Sequence, residues 1–194
     1  MTVEKNVDLK DIISFLESEL MAVYGELDSL VVRHLRDPEH VDEFTLDWIN
    51  PAKQEKQKVA EASKAKVIIV DKEVVFSETL KNQGKVLLVV DNPKLAIAKV
   101  GNEFFVEKST PGIHPSAIIH PDAKIGENVF VGANTVIENC TIGDDTIIDA
   151  NVHIYSPVII GKHCLVKSGA VLGGMGFGFE KDENGNLFRF PQIG

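Results

Sequence analysis

Residues 125–148 read IGENVFVGANTVIENCTIGDDTII, and an aliphatic residue returns at every sixth position of this stretch, with one five-residue step. The spacing continues in both directions through Ile113, Ile119, Ile125, Val131, Ile137, Ile142, Ile148, Ile154, Ile160, Val166 and Leu172. Small or β-branched residues lie two positions earlier, at Ala117, Ala123, Val129, Thr135, Cys140, Thr146, Val152, Val158, Cys164 and Ala170. A period of six fits neither a helix nor an isolated strand. It predicts a parallel β-helix with three short strands per coil and about 3.6 coils, both series pointing inward.

The sequence changes character near residue 108. Twelve of the fifteen glycines follow this point, and the hexads begin there. We therefore expect a domain over residues 1–108 and a β-helix over 109–194. Each part is mildly acidic, so the two differ in architecture and not in charge.

The first part has the pattern of a small α/β domain. The stripe of Leu9, Ile12, Ile13, Leu16 and Leu20 predicts a helix. An asparagine is followed by a proline at residues 50–51 and again at residues 92–93. Each pair predicts the start of a helix, and the first of these helices is polar and extends to about residue 63. The apolar runs predict strands over 30–33, 45–49, 67–70 and 86–90.

Composition excludes several classes of protein. The net charge of −9 argues against nonspecific nucleic-acid binding, and no apolar run is long enough to span a membrane. The first residues do not form an apolar signal core, which favours a cytoplasmic protein. Two cysteines in the inward series predict buried, unpaired thiols, and no metal or cofactor is expected.

The histidines have mostly structural interpretations. His114 and His120 each precede a proline after an inward aliphatic residue, which predicts corners of the β-helix and not metal ligands. His34 and His40 flank a charged stretch and are expected to be exposed to solvent.

The hexads are interrupted after Leu172. A glycine-rich segment leads into residues 180–190, which predict an excursion loop, and the chain ends on an Ile-Gly pair that resembles the start of a new hexad. Because an uncapped β-helix would expose its core, we expect either a longer parent chain or a covering partner.

Four stretches make the resemblance specific: Trp48-Ile-Asn-Pro, Ile113-His-Pro-Ser-Ala, Gly176-Phe-Gly-Phe and Pro191-Gln-Ile-Gly. In this order they resemble the N-terminal part of the UDP-3-O-(3-hydroxyacyl)glucosamine N-acyltransferases of lipid A biosynthesis. The resemblance implies a left-handed β-helix, a homotrimer with active sites between subunits, acyl carrier protein as the acyl donor and a UDP-sugar as the acceptor.

The resemblance also implies substrate-binding residues, namely Asn50, Gly176, Phe177, Gly178 and Gln192. In the family, an asparagine that binds uracil has an aromatic residue three positions away on each side. This chain has Asp47 and Lys53 there, so the stacking pair is missing, and Asn50 could instead be only a helix cap. Met175 likewise replaces an acidic residue of the glycine-rich motif.

The catalytic base of the family is a histidine at the third position of a hexad. No histidine of this chain fills that position, so the resemblance implies a base outside the 194 residues, with the outward-facing His153 as the candidate within them. Two alternatives stay open: another sugar-nucleotide N-acyl- or acetyltransferase, and a non-catalytic trimeric β-helix scaffold.

Overall fold

The computed structural model describes residues 5–191. The chain divides into two compact units, residues 1–107 and 108–194, and each is described by itself. Within the described range no helix is long and apolar enough to cross a bilayer.

The first unit is built on a four-stranded sheet with strand order β2-β6-β5-β4. Strand β2 runs antiparallel to β6, and the other two pairs are parallel. A separate antiparallel pair joins β1 and β3. The elements are β1 (Val7–Asp8), α1 (Leu9–Phe15), β2 (Leu20–Tyr24), β3 (Val31–Val32), β4 (Leu46–Trp48), α2 (Lys56–Ala62), β5 (Val67–Val70), α3 (Glu78–Asn82), β6 (Val86–Val90), α4 (Pro93–Val100) and a π-helical turn, Gly101–Phe105.

The sheet separates two apolar cores. Strands β5 and β6 are entirely buried, which explains why they read as unbroken aliphatic runs and not as alternating ones. On β4, Leu46 and Trp48 face the first core while Ile49 belongs to the second. Asp47 therefore lies on the opposite side of the strand from Trp48, as strand alternation predicts.

Two predictions for this unit are wrong in detail. The first helix ends at Phe15, and Leu20 begins strand β2, because the chain must turn back to pair with β6. The polar helix α2 begins at Lys56 and not next to Asn50. Residues 51–55 form turns instead, with Glu55 in the left-handed conformation before the helix. The second Asn-Pro pair does start a helix, since the Asn92 side chain accepts from the Leu95 N–H at 3.1 Å.

The second unit is the predicted left-handed β-helix. It contains the strands β7 (Gly112–Ile113), β8 (Ile118–Ile119), β9 (Lys124–Ile125), β10 (Phe130–Val131), β11 (Val136–Ile137), β12 (Thr141–Ile142), β13 (Ile147–Ile148), β14 (His153–Ile154), β15 (Ile159–Ile160), β16 (Leu165–Val166) and β17 (Val171–Leu172). All stack in parallel as three sheets, β7-β10-β13-β16, β8-β11-β14-β17 and β9-β12-β15. Paired residues are 18 or 17 positions apart, as with Gly112 and Phe130 or Phe130 and Ile147.

Both inward series pack inside this prism. The central aliphatic residues are fully buried, and Thr135 and Thr146 are buried with their hydroxyls donating to the carbonyls of Asp149 and Gly161. Cys140 is buried and Cys164 is only half-buried, and both thiols are free. The polar members of the series are thus satisfied by the backbone of the next coil.

The predicted excursion is a β-hairpin of β18 (Phe179–Lys181) and β19 (Leu187–Arg189). Its turn is held by Asp182, whose carboxylate accepts from the backbone N–H groups of Asn184 and Asn186. Hydrogen bonds from the Asn186 side chain and from these N–H groups lower the pKa of Asp182.

Candidate functional site

A pocket of about 460 Å³ lies beside strand β4 in the first unit. Asp47 and Trp48 line it from the strand, Lys53 from the following turn, and Lys58 from helix α2, with Lys64 just beyond the helix. Asp47 and Lys53 hold the two positions where the resemblance expects aromatic rings. The pocket therefore contains both of these positions, and each carries a charged side chain instead of an aromatic ring.

The hydrogen bonds around the pocket show which groups are already engaged. Asp47 accepts from the Ser63 hydroxyl at 2.5 Å and from the Trp48 N–H at 2.8 Å. The side-chain Oδ1 of Asn50 accepts from the Ala52 N–H at 3.0 Å, so Asn50 caps the turn, and Asn50 is not among the residues that line the pocket. Over residues 5–191, Lys53 and Lys64 form no ion pair, whereas Lys58 pairs with Glu55.

One wall of the pocket is the loop that contains Pro38, Glu39 and Val41, and Asp42 fastens the end of that loop. The Asp42 carboxylate bonds to His34 Nε2 at 2.8 Å, to the Thr45 hydroxyl at 2.9 Å and to Arg36 Nη1 at 3.0 Å. The prediction that His34 is solvated is wrong: its side chain is 3% exposed, because it packs under this loop. His40 is exposed, as expected.

Burial alone would raise the pKa of Asp42, but hydrogen bonds from His34, Thr45 and the Phe44 N–H outweigh it and lower the pKa to about 2. A carboxylate whose pKa is lowered in the folded state stabilises the protein at pH values above its unfolded-state pKa. This stabilisation is lost as the pH falls toward the folded-state pKa. We expect the unfolding free energy to fall by about 1 kcal/mol between pH 4 and pH 2, after solvent screening is allowed for.

Urea unfolding of wild type and Asp42→Asn, followed through the single tryptophan, measures this contribution. Asp42→Asn should remove that part of the pH dependence, and Asp91→Asn, at an exposed position, should retain it. Parallel pH profiles for wild type and Asp42→Asn would contradict the assignment.

The second candidate region surrounds His153 on the β-helix. Its ring faces outward from β14, is stacked on Tyr155 at 4.2 Å between centroids, and has Nε2 3.4 Å from Glu138. Glu138 accepts from the Ser156 N–H at 3.0 Å, and this bond, followed by that of His153, lowers its pKa. Sequence reasoning missed Glu138, although the coil period would have found it, since it lies one coil before Tyr155.

Two other β-helix histidines, His114 and His120, hold turns of the backbone. His114 Nδ1 accepts from the Ser116 N–H and His120 Nδ1 from the Asp122 N–H, so both fasten corners, as predicted. His163 lies in a turn with a positive φ of 55° and its side chain is largely exposed. Among the residues that the structure describes, no group of three or more potential ligands is placed to hold a metal ion.

The glycine-rich segment begins next to the ring of Tyr155, which Gly174 approaches. Further along, Phe177 is 92% exposed and meets Phe179 edge-on, with 5.0 Å between ring centroids. The structure therefore brings the beginning of this segment close to His153, whereas Phe177 points into solvent. Gln192 lies outside the described residues.

Comparison with known proteins gives the relationships of the chain. It matches the family described as bacterial transferase hexapeptide (six repeats) over residues 110–139 and 139–174. It is 36% identical over 186 residues to UDP-3-O-acylglucosamine N-acyltransferase 1 of Francisella tularensis subsp. holarctica, covering 85% of this chain and 53% of the relative. It is 32% identical over 168 residues to UDP-3-O-acylglucosamine N-acyltransferase of Polynucleobacter asymbioticus, covering 72% and 47%.

A third relative, from Pseudomonas syringae pv. tomato and with the same name, is 40% identical over 127 residues, covering 55% of this chain and 36% of the relative. The chain spans about half the length of the first two relatives. The chain is therefore an acyltransferase homologue of the hexapeptide-repeat class, similar over most of its own length to the UDP-3-O-acylglucosamine N-acyltransferases.

Proposed function

We propose that this chain is the nucleotide-binding and early β-helix portion of an N-acyltransferase of lipid A biosynthesis. The reaction is transfer of a 3-hydroxyacyl chain from acyl carrier protein to the 2-amine of a UDP-3-O-acylglucosamine, by a homotrimer in the cytoplasm. The observation that carries the proposal is the pocket beside β4, lined by Asp47 and Lys53, in a chain similar to enzymes of that name.

The acyl transfer requires a base and a group that stabilises the oxyanion. The amine attacks the thioester carbonyl, a base removes its proton, and the carrier thiolate leaves as the amide forms. Backbone N–H groups of the β-helix can stabilise the oxyanion. We propose that a residue outside these 194 supplies the base. His153 is the candidate within the chain, because its outward-facing ring is stacked on Tyr155 and its Nε2 lies 3.4 Å from the Glu138 carboxylate.

One observation favours a second candidate, another sugar-nucleotide N-acyltransferase. No pair of aromatic rings flanks Asn50, and the oxygen atom of that side chain is engaged by the Ala52 N–H. A base bound here would lack the stacking that the resemblance implies, and Lys53 and Lys64 would instead contact the diphosphate. The second candidate is therefore an N-acyl- or acetyltransferase that acts on another sugar nucleotide.

The pocket is tested by nucleotide binding to the 194-residue chain. We expect UDP-glucosamine and UDP to raise the melting temperature, because a ligand that binds only the folded state stabilises it. Lys53→Glu should weaken the affinity for UDP at least tenfold by calorimetry, since it places a carboxylate near the phosphates. Lys94→Glu, at an exposed position on α4, is the matched control and should bind normally.

The outcomes separate the candidates. Tighter binding of another nucleotide than UDP would favour the second candidate. No stabilisation by any nucleoside diphosphate would contradict a substrate-binding pocket and leave the non-catalytic scaffold as the better interpretation.

A further inference from the structure

The turn of the β18–β19 hairpin contains the one asparagine of this chain that is followed by a glycine, Asn184-Gly185. In such a pair the backbone nitrogen of the glycine can attack the side-chain amide of the asparagine. Glycine has no Cβ to hinder the approach, and its backbone adopts conformations that are closed to other residues. An Asn-Gly pair is therefore a potential chemical site, and its reactivity depends on how the fold holds it.

The structure leaves the reacting atoms of this pair accessible. Asn184 and Gly185 are both exposed, and a Cβ built on Gly185 would meet no atom within 4 Å. Gly185 also has a positive φ of 83°. Over the residues that the structure describes, the side-chain amide of Asn184 forms no hydrogen bond, so it can rotate toward the nitrogen of Gly185.

Asn186, two positions later in the same turn, is held more firmly. Its side-chain nitrogen donates to Asp182 Oδ2 at 2.9 Å, and its backbone N–H donates to Asp182 Oδ1 at 2.8 Å. Its amide faces the nitrogen of Leu187, whose side chain hinders the approach. Asn184 shares only the backbone contact, from its N–H to Asp182 Oδ1 at 2.9 Å. The two asparagines therefore differ both in the freedom of the amide and in access to it.

One hydrogen bond opposes the reaction. The Gly185 N–H donates to the backbone carbonyl oxygen of Asp182 at 3.0 Å, so the nitrogen must leave this bond before it can attack. A two-stranded hairpin is only marginally stable on its own, and local opening of such an element costs little free energy. The bonds that the Asp182 carboxylate accepts hold the turn closed. We therefore expect the opening of the turn to limit the rate.

We propose that Asn184 is a site of spontaneous covalent modification, independently of the function proposed above. The Gly185 nitrogen loses its proton and bonds to Cγ of Asn184, and the C–N bond of the side-chain amide breaks, so that ammonia leaves with a proton. Water then adds to one carbonyl of the cyclic imide and opens the ring, which leaves aspartate or isoaspartate at position 184. Nothing is oxidised or reduced, and water is the only co-reactant.

The product changes the hairpin in two ways. A carboxylate replaces a neutral amide close to the carboxylate of Asp182, and like charges disfavour each other at short range. Isoaspartate also adds a backbone atom to the loop, whose length fixes the register of Lys181 with Leu187. The modification should therefore weaken the pairing of β18 with β19.

Peptide mass spectrometry of the aged 194-residue protein tests this site. Trypsin cleaves after Lys181 and Arg189, so both asparagines of the turn lie in one peptide, 182–189. After incubation at mildly alkaline pH, we expect Asn184 to be converted about tenfold faster than Asn186, because only Asn184 precedes a residue without a Cβ. Equal rates at the two positions would overturn the proposal. So would an intact Asn184 in the folded protein after the same residue has reacted in urea.

Two variants test the role of the turn. Asp182→Ala removes the carboxylate that holds it and should accelerate the reaction at Asn184 severalfold. Glu183→Ala, at an exposed position beside it, is the matched control and should react like the wild type. If Asp182→Ala does not fold by circular dichroism, the comparison of Asn184 with Asn186 in the wild type decides alone. Unchanged hydrogen exchange of residues 179–189 in fully converted protein would overturn the weakening of the hairpin.

Discussion

Alanine at Gly132 is expected to destabilise the β-helix by about 3 kcal/mol, because the added methyl group has no space. A Cβ at this position would lie 2.5 Å from the Ala150 backbone N and 2.7 Å from the Asp149 carbonyl carbon. Both atoms belong to the next coil, which is held in register by the bond from the Gly132 N–H to the Ile148 carbonyl. The backbone cannot move away without breaking parallel ladder bonds on either side.

Hydrogen exchange of peptides from residues 126–166 measures this effect without interference from the first unit. The matched control is Gly161→Ala, at the same position of its hexad, where the nearest atom within 4 Å is the Cys164 sulfur at 3.9 Å. Gly161 has this space because the chain leaves the coil path at the glycine-rich segment. Equal protection in the two variants would contradict the assignment of Gly132 to a stacked corner.

Methionine at Lys85 is expected to destabilise the first unit by about 3 kcal/mol. The Lys85 side chain is buried, and its ammonium donates to the carbonyl oxygens of Ala60, Glu61 and Ser63 at 2.8, 3.0 and 2.6 Å. It thereby satisfies carbonyls at the C-terminal end of helix α2, while burial lowers its pKa. Methionine keeps the apolar stem but leaves buried acceptors without a donor.

Urea unfolding followed by the fluorescence of Trp48, the only tryptophan, reports on this unit. Lys66→Met is the control, because Lys66 also donates to a carbonyl, that of Gln83 at 2.7 Å, but from an exposed position. It should cost less than about 0.5 kcal/mol, since water replaces an exposed donor. Similar losses in the two variants would show that burial of Lys85 is not what makes it important.

The site could be predicted only in part from the sequence. The outward position of His153 follows from its place in the hexad, and the ring lies there. Asn50, by contrast, caps a turn and not the helix that the Asn-Pro pattern predicts. The basic lining of the pocket by Lys58 and Lys64 was missed, because a polar helix with evenly spread lysines does not show which of them face a cavity. The burial of His34 was missed for a similar reason, since its partner Asp42 is eight residues away across a loop.

The amino-acid sequence by itself determined the β-helix, because every hexad places one aliphatic residue and one small or β-branched residue inside the coil. It also determined the strands β5 and β6, whose unbroken aliphatic runs can only be buried on both faces. Tertiary structure decided what depends on partners distant in the chain. The strand at Leu20 exists because β6 is there to pair with it, and the start of α2 moves to Lys56 because the turn after β4 uses the Asn50 side chain. Pairing and capping across space outweigh local propensity at such positions.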